Sequence, residues 1–147
     1  MHRFFLSTLV ALAACQPRGM TLDEARDAWL ERGSADYTWV VAQNCFCENM
    51  GGSIRVTVED GEVVYAETVP VTDTVPSYTL ETSEYESWMT VEGLFDELEE
   101  ALETADEVDY AFAPEGFPER IEVDMMLDTI DDEYSFDAGS MQLAGFQ

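Results

Sequence analysis

Apolar residues along this chain follow two periods, and the switches between them mark out the elements. Leu22, Ala25 and Trp29 recur at helical spacing behind Thr21-Leu-Asp-Glu24, a capping box in which threonine and glutamate satisfy each other's end amides. This predicts a helix over about Leu22–Arg32, with Gly33 placed to end it in a left-handed turn. The period then drops to two. Tyr37, Trp39 and Val41 alternate onto one face of a strand read over Asp36–Cys47, and that face offers cover for the Leu22/Ala25/Trp29 stripe. Gly51-Gly52 reads as a break. Beyond it Ile54, Val56 and Val58 alternate with Arg55, Thr57 and Glu59 ahead of Asp60-Gly61, which supplies a positive-φ hairpin turn. A two-residue turn sets Val56 opposite Tyr65; a bulged three-residue turn sets it opposite Val64. The stretch Asp36–Val69 is expected to form the centre of a sheet.

From Pro70 to Met89 the pattern weakens into an exposed excursion with one short strand around Ser77–Leu80. Thr90 then caps the clearest helix, whose Val91, Leu94, Phe95, Leu98, Ala101, Leu102 and Ala105 form a continuous apolar stripe opposite a row of acids. Val108, Tyr110 and Phe112 alternate in the next strand. Pro114-Glu-Gly-Phe-Pro118 turns the chain, and Ile121, Val123 and Met125 alternate on the way back. A final strand is read over Glu133–Ala138. The order is helix, three strands, excursion, helix, three strands. That is an α+β fold: an antiparallel sheet of about five to six strands with two helices on one face, in a single domain over residues 21–147.

Charge narrows the function. The 147 residues hold 32 acids against 6 arginines and no lysine, for a net charge of −26. Such a surface repels nucleic acid and anionic lipid; the simplest account is that it keeps the protein soluble, with attraction of cations or a basic protein partner as the alternative. The beginning of the chain reads as a targeting segment: His2 and Arg3, an apolar run over Phe4–Leu12, then Leu12-Ala-Ala-Cys15. The last four residues resemble the bacterial lipobox, in which the cysteine is lipidated and becomes the first mature residue. Residues 1–14 are therefore expected to be a lipoprotein signal peptide, and 15–20 the lipidated Cys15 with a short tether. Removing 14 residues leaves 133, and losing Arg3 takes the net charge to −27. The tether Gln16–Met20 reaches at most about 16–18 Å, so the domain would sit close to the membrane. By resemblance to lipoproteins, Gln16 after the cysteine is not the aspartate that holds such proteins at an inner membrane. The expected location is the bacterial cell envelope, facing away from the cytoplasm, at the outer membrane where the cell has one.

Cleavage also removes the only histidine. Without histidine or lysine, Ser–His and Cys–His nucleophile pairs and histidine metal sites are excluded. Carboxylate pairs could run a glycosidase-like reaction, yet among 32 acids a pair carries no information. Asp128-Thr129-Ile130 lacks the glycine of an aspartic-protease motif. The reading is no enzyme, no catalytic residue and no cofactor. Cys45-Phe-Cys47 is the sharpest remaining feature. In a flat strand such cysteines sit at the upper limit for a bridge, and a kink before Gly51-Gly52 would bring them together. A local structural disulfide is the favoured reading, with a labile redox pair as the alternative. Asp124, Asp128, Asp131, Asp132 and Glu133 form a second cluster. Their hard oxygens suit calcium, but the spacing is not that of an EF-hand loop, and a solvated acidic turn is the simpler account. Glu119 and Arg120 read as surface charges.

Several of these motifs together resemble a family. Tyr37-Thr-Trp39, Cys45-Phe-Cys47 and Val56-x-Val58-x-Asp60-Gly61-x-Val63 are followed by Thr90-Val-Glu-Gly-Leu-Phe-Asp96, Gly116-Phe-Pro118, Ile121-x-Val123-Asp124 and Asp132-Glu133. In this order they are similar to a bacterial envelope family known as a domain of unknown function, number 6174. The resemblance spans roughly residues 28–136. Phe112-Ala113 departs from it, since an aromatic followed by aspartate is expected there. The family implies a secreted or lipid-anchored α+β domain and no established activity. The combined expectation is a membrane-anchored lipoprotein serving as a binding or structural module. A calcium-binding module and a thiol–disulfide redox protein using Cys45 and Cys47 are the alternatives.

Overall fold

The computed structural model describes residues 19–32, 35–45, 51–70, 72, 74–129 and 131–144. The expected signal peptide, Cys15, Cys47 and the helix-ending Gly33 lie outside these residues. Helix α1 (Leu22–Arg32) leads into strands β1 (Tyr37–Cys45), β2 (Gly51–Glu59) and β3 (Glu62–Thr68). Two single-turn 3-10 helices, Thr82–Glu84 and Ser87–Met89, precede helix α2 (Val91–Thr104) and strands β4 (Glu107–Phe112), β5 (Pro118–Asp124) and β6 (Glu133–Leu143). The fold is α+β, a six-stranded antiparallel sheet in the order β3-β2-β1-β6-β5-β4.

Both helix starts follow from local chemistry. The Thr21 amide and hydroxyl donate to Glu24 at 2.9 and 3.0 Å, and the Glu24 amide donates back to the Thr21 hydroxyl. These bonds hold the Glu24 carboxyl below its ordinary value. In α2 the Thr90 hydroxyl accepts from the Gly93 amide at 3.0 Å. Gly93 allows the preceding 3-10 turn to press on the helix, because a Cβ there would stand 1.8 Å from the Ser87 carbonyl oxygen.

The helices cover one face of the sheet, and the core lies between. Trp29 of α1 meets Tyr37 and Phe117 edge-on, and Trp39 extends the same stack. The Trp39 indole donates to the Met89 carbonyl at 3.0 Å, so the 3-10 turn is bolted to the central strand. Leu94, Phe95, Leu98 and Ala101 of α2 complete the core with Ile121, Val123 and Phe136. Leu102, placed in the same apolar stripe by the sequence, is 44% exposed, because it lies at the margin of the face that meets the sheet.

Five expectations change. The Asp36–Val69 stretch is not the centre of the sheet as a unit: β1 is central, but its central neighbour is β6, while β2 and β3 run out to an edge. Gly51 and Gly52 are not a break but the first residues of β2, paired with Asn44 and Gln43. The hairpin takes neither expected register. Asp60 (φ 52°) and Gly61 (φ 79°) make a two-residue turn, but a bulge between Thr57 and Val58 places Val56 opposite Ala66. An unbulged ladder would carry Tyr65 and Glu67 to the core side. The bulge sends both outward and buries Ala66, avoiding an unpaired carboxylate in the core. The last strand runs to Leu143, five residues beyond Ala138, because Met141 and Leu143 pack on the core. Finally, the excursion is exposed along most of its described length, as expected, but three of its side chains reach the core. In place of the expected short strand, Thr79 makes one isolated bridge to Glu67, and Leu80, Trp88 and Met89 are buried. Three large apolar side chains in a weakly patterned segment still go where they lose most water contact.

Candidate functional site

Alternation leaves the second face of the sheet with the polar half of every strand. Thr38, Val40, Ala42 and Asn44 of β1 share it with Ser135 and Asp137 of β6, Arg120, Glu122 and Asp124 of β5, and Glu107, Asp109 and Ala111 of β4. Among the described residues no helix or loop covers it. Towards the ends of β1 and β5 this face holds a concavity of about 600 Å³, lined by Asn44, Glu107, Asp109, Glu122, Asp124, Glu133 and Ser135, with Cys45, Val123 and Tyr134 also contributing to its lining. A second hollow of about 380 Å³ adjoins it over Val40, Ala42, Ala111 and Gly139. Carboxylates dominate the lining of the first hollow, and small side chains contribute much of the second.

The charge on this face is poorly balanced. Arg120 donates to Asp109 and to Glu122, each at 3.0 Å, and Asn44 donates to Asp137 at 3.2 Å. The arginine pairs are largely solvent-exposed and so contribute little energy. Arg26 and Arg55 are committed elsewhere, to Asp96 and Glu99 and to Glu67. Asp124, Asp132 and Glu133 crowd together: Asp124 lies opposite Glu133, and Asp124 Oδ1 and both Asp132 carboxylate oxygens are out of water without a hydrogen-bond partner. Loss of water first, then repulsion from Asp132 and Glu133, pushes the Asp124 carboxyl up.

Of the five acids read as a possible calcium cluster, three converge and two do not. Asp128 is exposed in the β5–β6 connection, and Asp131 is exposed with φ 76°. Among the described residues no group of three carboxylates, cysteines or histidines is arranged to hold a metal ion. Cys45 ends β1 opposite Tyr134, at the edge of the concavity, and its expected partner Cys47 lies outside the described residues. Arg120 is a surface charge as read, and it lies on the acidic face paired with Asp109 and Glu122; Glu119 is exposed. Sequence reading missed Glu107, Asp109 and Glu122. The available signal was their position two apart, on the polar side of strands whose other side is apolar, but only β4–β5–β6 pairing shows that they share one face.

The chain's residues 21–143 match a family described as a family of unknown function, DUF6174. The chain belongs to that family. Comparison with curated proteins and with solved structures found no match. For this DUF6174 member, then, the geometry of the uncovered face carries the functional argument. No helix among the described residues is long and apolar enough to cross a membrane.

Proposed function

We propose that this DUF6174 protein is a lipoprotein of the bacterial cell envelope, anchored through Cys15, whose domain is a binding module for a basic or cationic partner. The observation that carries the binding role is the uncovered sheet face, where Glu107, Asp109, Glu122, Asp124 and Glu133 surround one hollow with Arg120 as their basic neighbour. A low-dielectric wall of strands beneath clustered carboxylates focuses negative potential and draws in positive charge. The anchor rests on Leu12-Ala-Ala-Cys15, and Gln16 favours an outer membrane. Cys45 and Cys47 form a local disulfide that pins the end of β1 in this reading; it has no redox role and the domain is not an enzyme.

The test is titration of the full chain in neutral detergent with a lysine-rich peptide. Binding is expected at low salt, weakening steeply as salt rises, and at least tenfold weaker for the Glu122→Lys/Asp124→Lys double variant. Equal binding by wild type and that variant would remove the acidic face from the account. For the anchor, Cys15→Ala is expected to block lipidation and processing; a variant that stays membrane-bound with a normally processed mass would overturn the anchor.

A further inference from the structure

The two edges of the sheet are not alike. At the β3 edge the Thr68 amide donates to the Tyr78 carbonyl at 3.0 Å and the Leu80 amide donates to Ala66 at 2.9 Å, so the 78–80 segment occupies part of that border. At the other edge β4 pairs with β5 over Glu107–Phe112, and among the described residues no backbone hydrogen bond reaches its outer side. Among the described residues, the six-residue strand β4 thus presents an unfilled ladder.

The side chains along that edge say what could fill it. Glu107 and Asp109 lie on the uncovered face and line the 600 Å³ concavity, beside Glu122 and Asp124. Val108, Tyr110 and Phe112 lie on the opposite side, half-buried, with Phe112 packed on Phe95. A second copy of this chain pairing strand to strand would set Glu107 and Asp109 against their own equivalents, on a chain of net charge −26. Like charges opposite each other in a ladder are destabilising. A basic strand meets no such barrier. Because side chains alternate, its residues opposite Glu107 and Asp109 would project over the acidic hollow. The residues between them would flank Val108 and Tyr110.

We propose that β4 accepts an added β-strand from a basic polypeptide carrying lysine or arginine at every second position, with an apolar residue between. Main-chain hydrogen bonds to Glu107–Phe112 supply the register, and the carboxylates of the hollow read the alternation. This rests on the reading of the acidic face as the binding surface and adds the edge, the conformation and the spacing of the partner.

The probe is an eight-residue peptide of alternating lysine and valine, titrated into the full chain at low salt. Its control is the same peptide N-methylated at the four central residues, which keeps the charge but removes the donors on both peptide edges. The proposal expects the control to bind at least tenfold more weakly. It also expects the parent peptide to slow hydrogen exchange at least tenfold at those amides of Glu107–Phe112 that point away from β5. If both peptides bind equally, β4 amides are unchanged and the Glu122→Lys/Asp124→Lys variant loses both, strand addition is wrong while the acidic face stands as the binding surface. If neither peptide binds at low salt, both readings fall.

Discussion

Tyr37 shows how much one side chain organises. Its ring is buried between Trp29 and Trp39, its hydroxyl accepts from the Val91 amide at 2.8 Å, and it donates to Glu92 at 3.3 Å. Burial, and then the nearby Glu92 carboxylate, push the phenol far above its ordinary value, while the Val91 bond pulls the other way; it stays protonated. Glu92 also accepts from the Trp29 indole at 2.9 Å, so one cluster ties α1, β1 and the first turn of α2. Tyr37→Phe keeps the packing and strands the Val91 amide. Urea unfolding is expected to show a loss of about 1–3 kcal/mol. Asp124 makes a different prediction. Its carboxyl is raised in the folded state above the ordinary 3.8. A raised value means that the carboxyl favours folding in acid, below the unfolded value, and that this contribution is lost as pH rises through the folded value. Asp124→Asn is therefore expected to stabilise the protein at neutral pH and to bring no gain near pH 3. Unfolding midpoints of the two proteins, followed across that range, check it; a gain that persists in acid would show that charge is not its source.

Helix and strand boundaries depended on contacts that single residues make across elements. The β4–β5 turn packs against α1 through Gly116, whose φ is 99° and whose absent Cβ would lie 2.6 Å from the Ala25 carbonyl oxygen and 2.8 Å from the Trp29 nitrogen. Gly116→Ala is expected to lower stability by at least about 1–3 kcal/mol from backbone strain alone, with the turn forced off the helix, readable by thermal melting. The hairpin predicts the opposite kind of result. Val64 is the bulged residue of β3 and is about half exposed. Deleting it turns the bulge into a regular ladder while Tyr65 stays outward and Ala66 inward. The variant is expected to fold with a melting temperature within a few degrees of wild type. A collapse on deletion would mean that the bulge's twist, not the inward–outward pattern of β3, is what the sheet requires.

Charge acts on the whole molecule. A chain of net charge −26 repels itself when compact, and added salt shortens the range of that repulsion from about 30 Å at 0.01 M to about 3 Å at 1 M. Melting temperature at fixed neutral pH is expected to rise with sodium chloride over that span. A flat or falling curve would show that the exposed ion pairs of Arg26, Arg55 and Arg120 outweigh the net repulsion.

The Thr21–Glu24 capping box, the Thr90 cap, the Asp60-Gly61 turn and the alternation in β1, β2, β4 and β5 are legible in the amino-acid order alone, because each is settled within a few neighbouring residues. So is the α+β class, since the order of elements limits how their apolar faces can meet. The reach of β6 to Leu143, the burial of Trp88 and Met89 and the bulge at Val64 are not. Each depends on which distant surface a residue loses its water against. The candidate site stands furthest from the local pattern. Glu107, Asp109 and Glu122 are ordinary members of a set of 32 acids along the chain. They become one surface only because β6 passes between β1 and β5, and long-range burial of Ile121, Val123 and Phe136 under α2 puts their polar neighbours on the side that no helix covers.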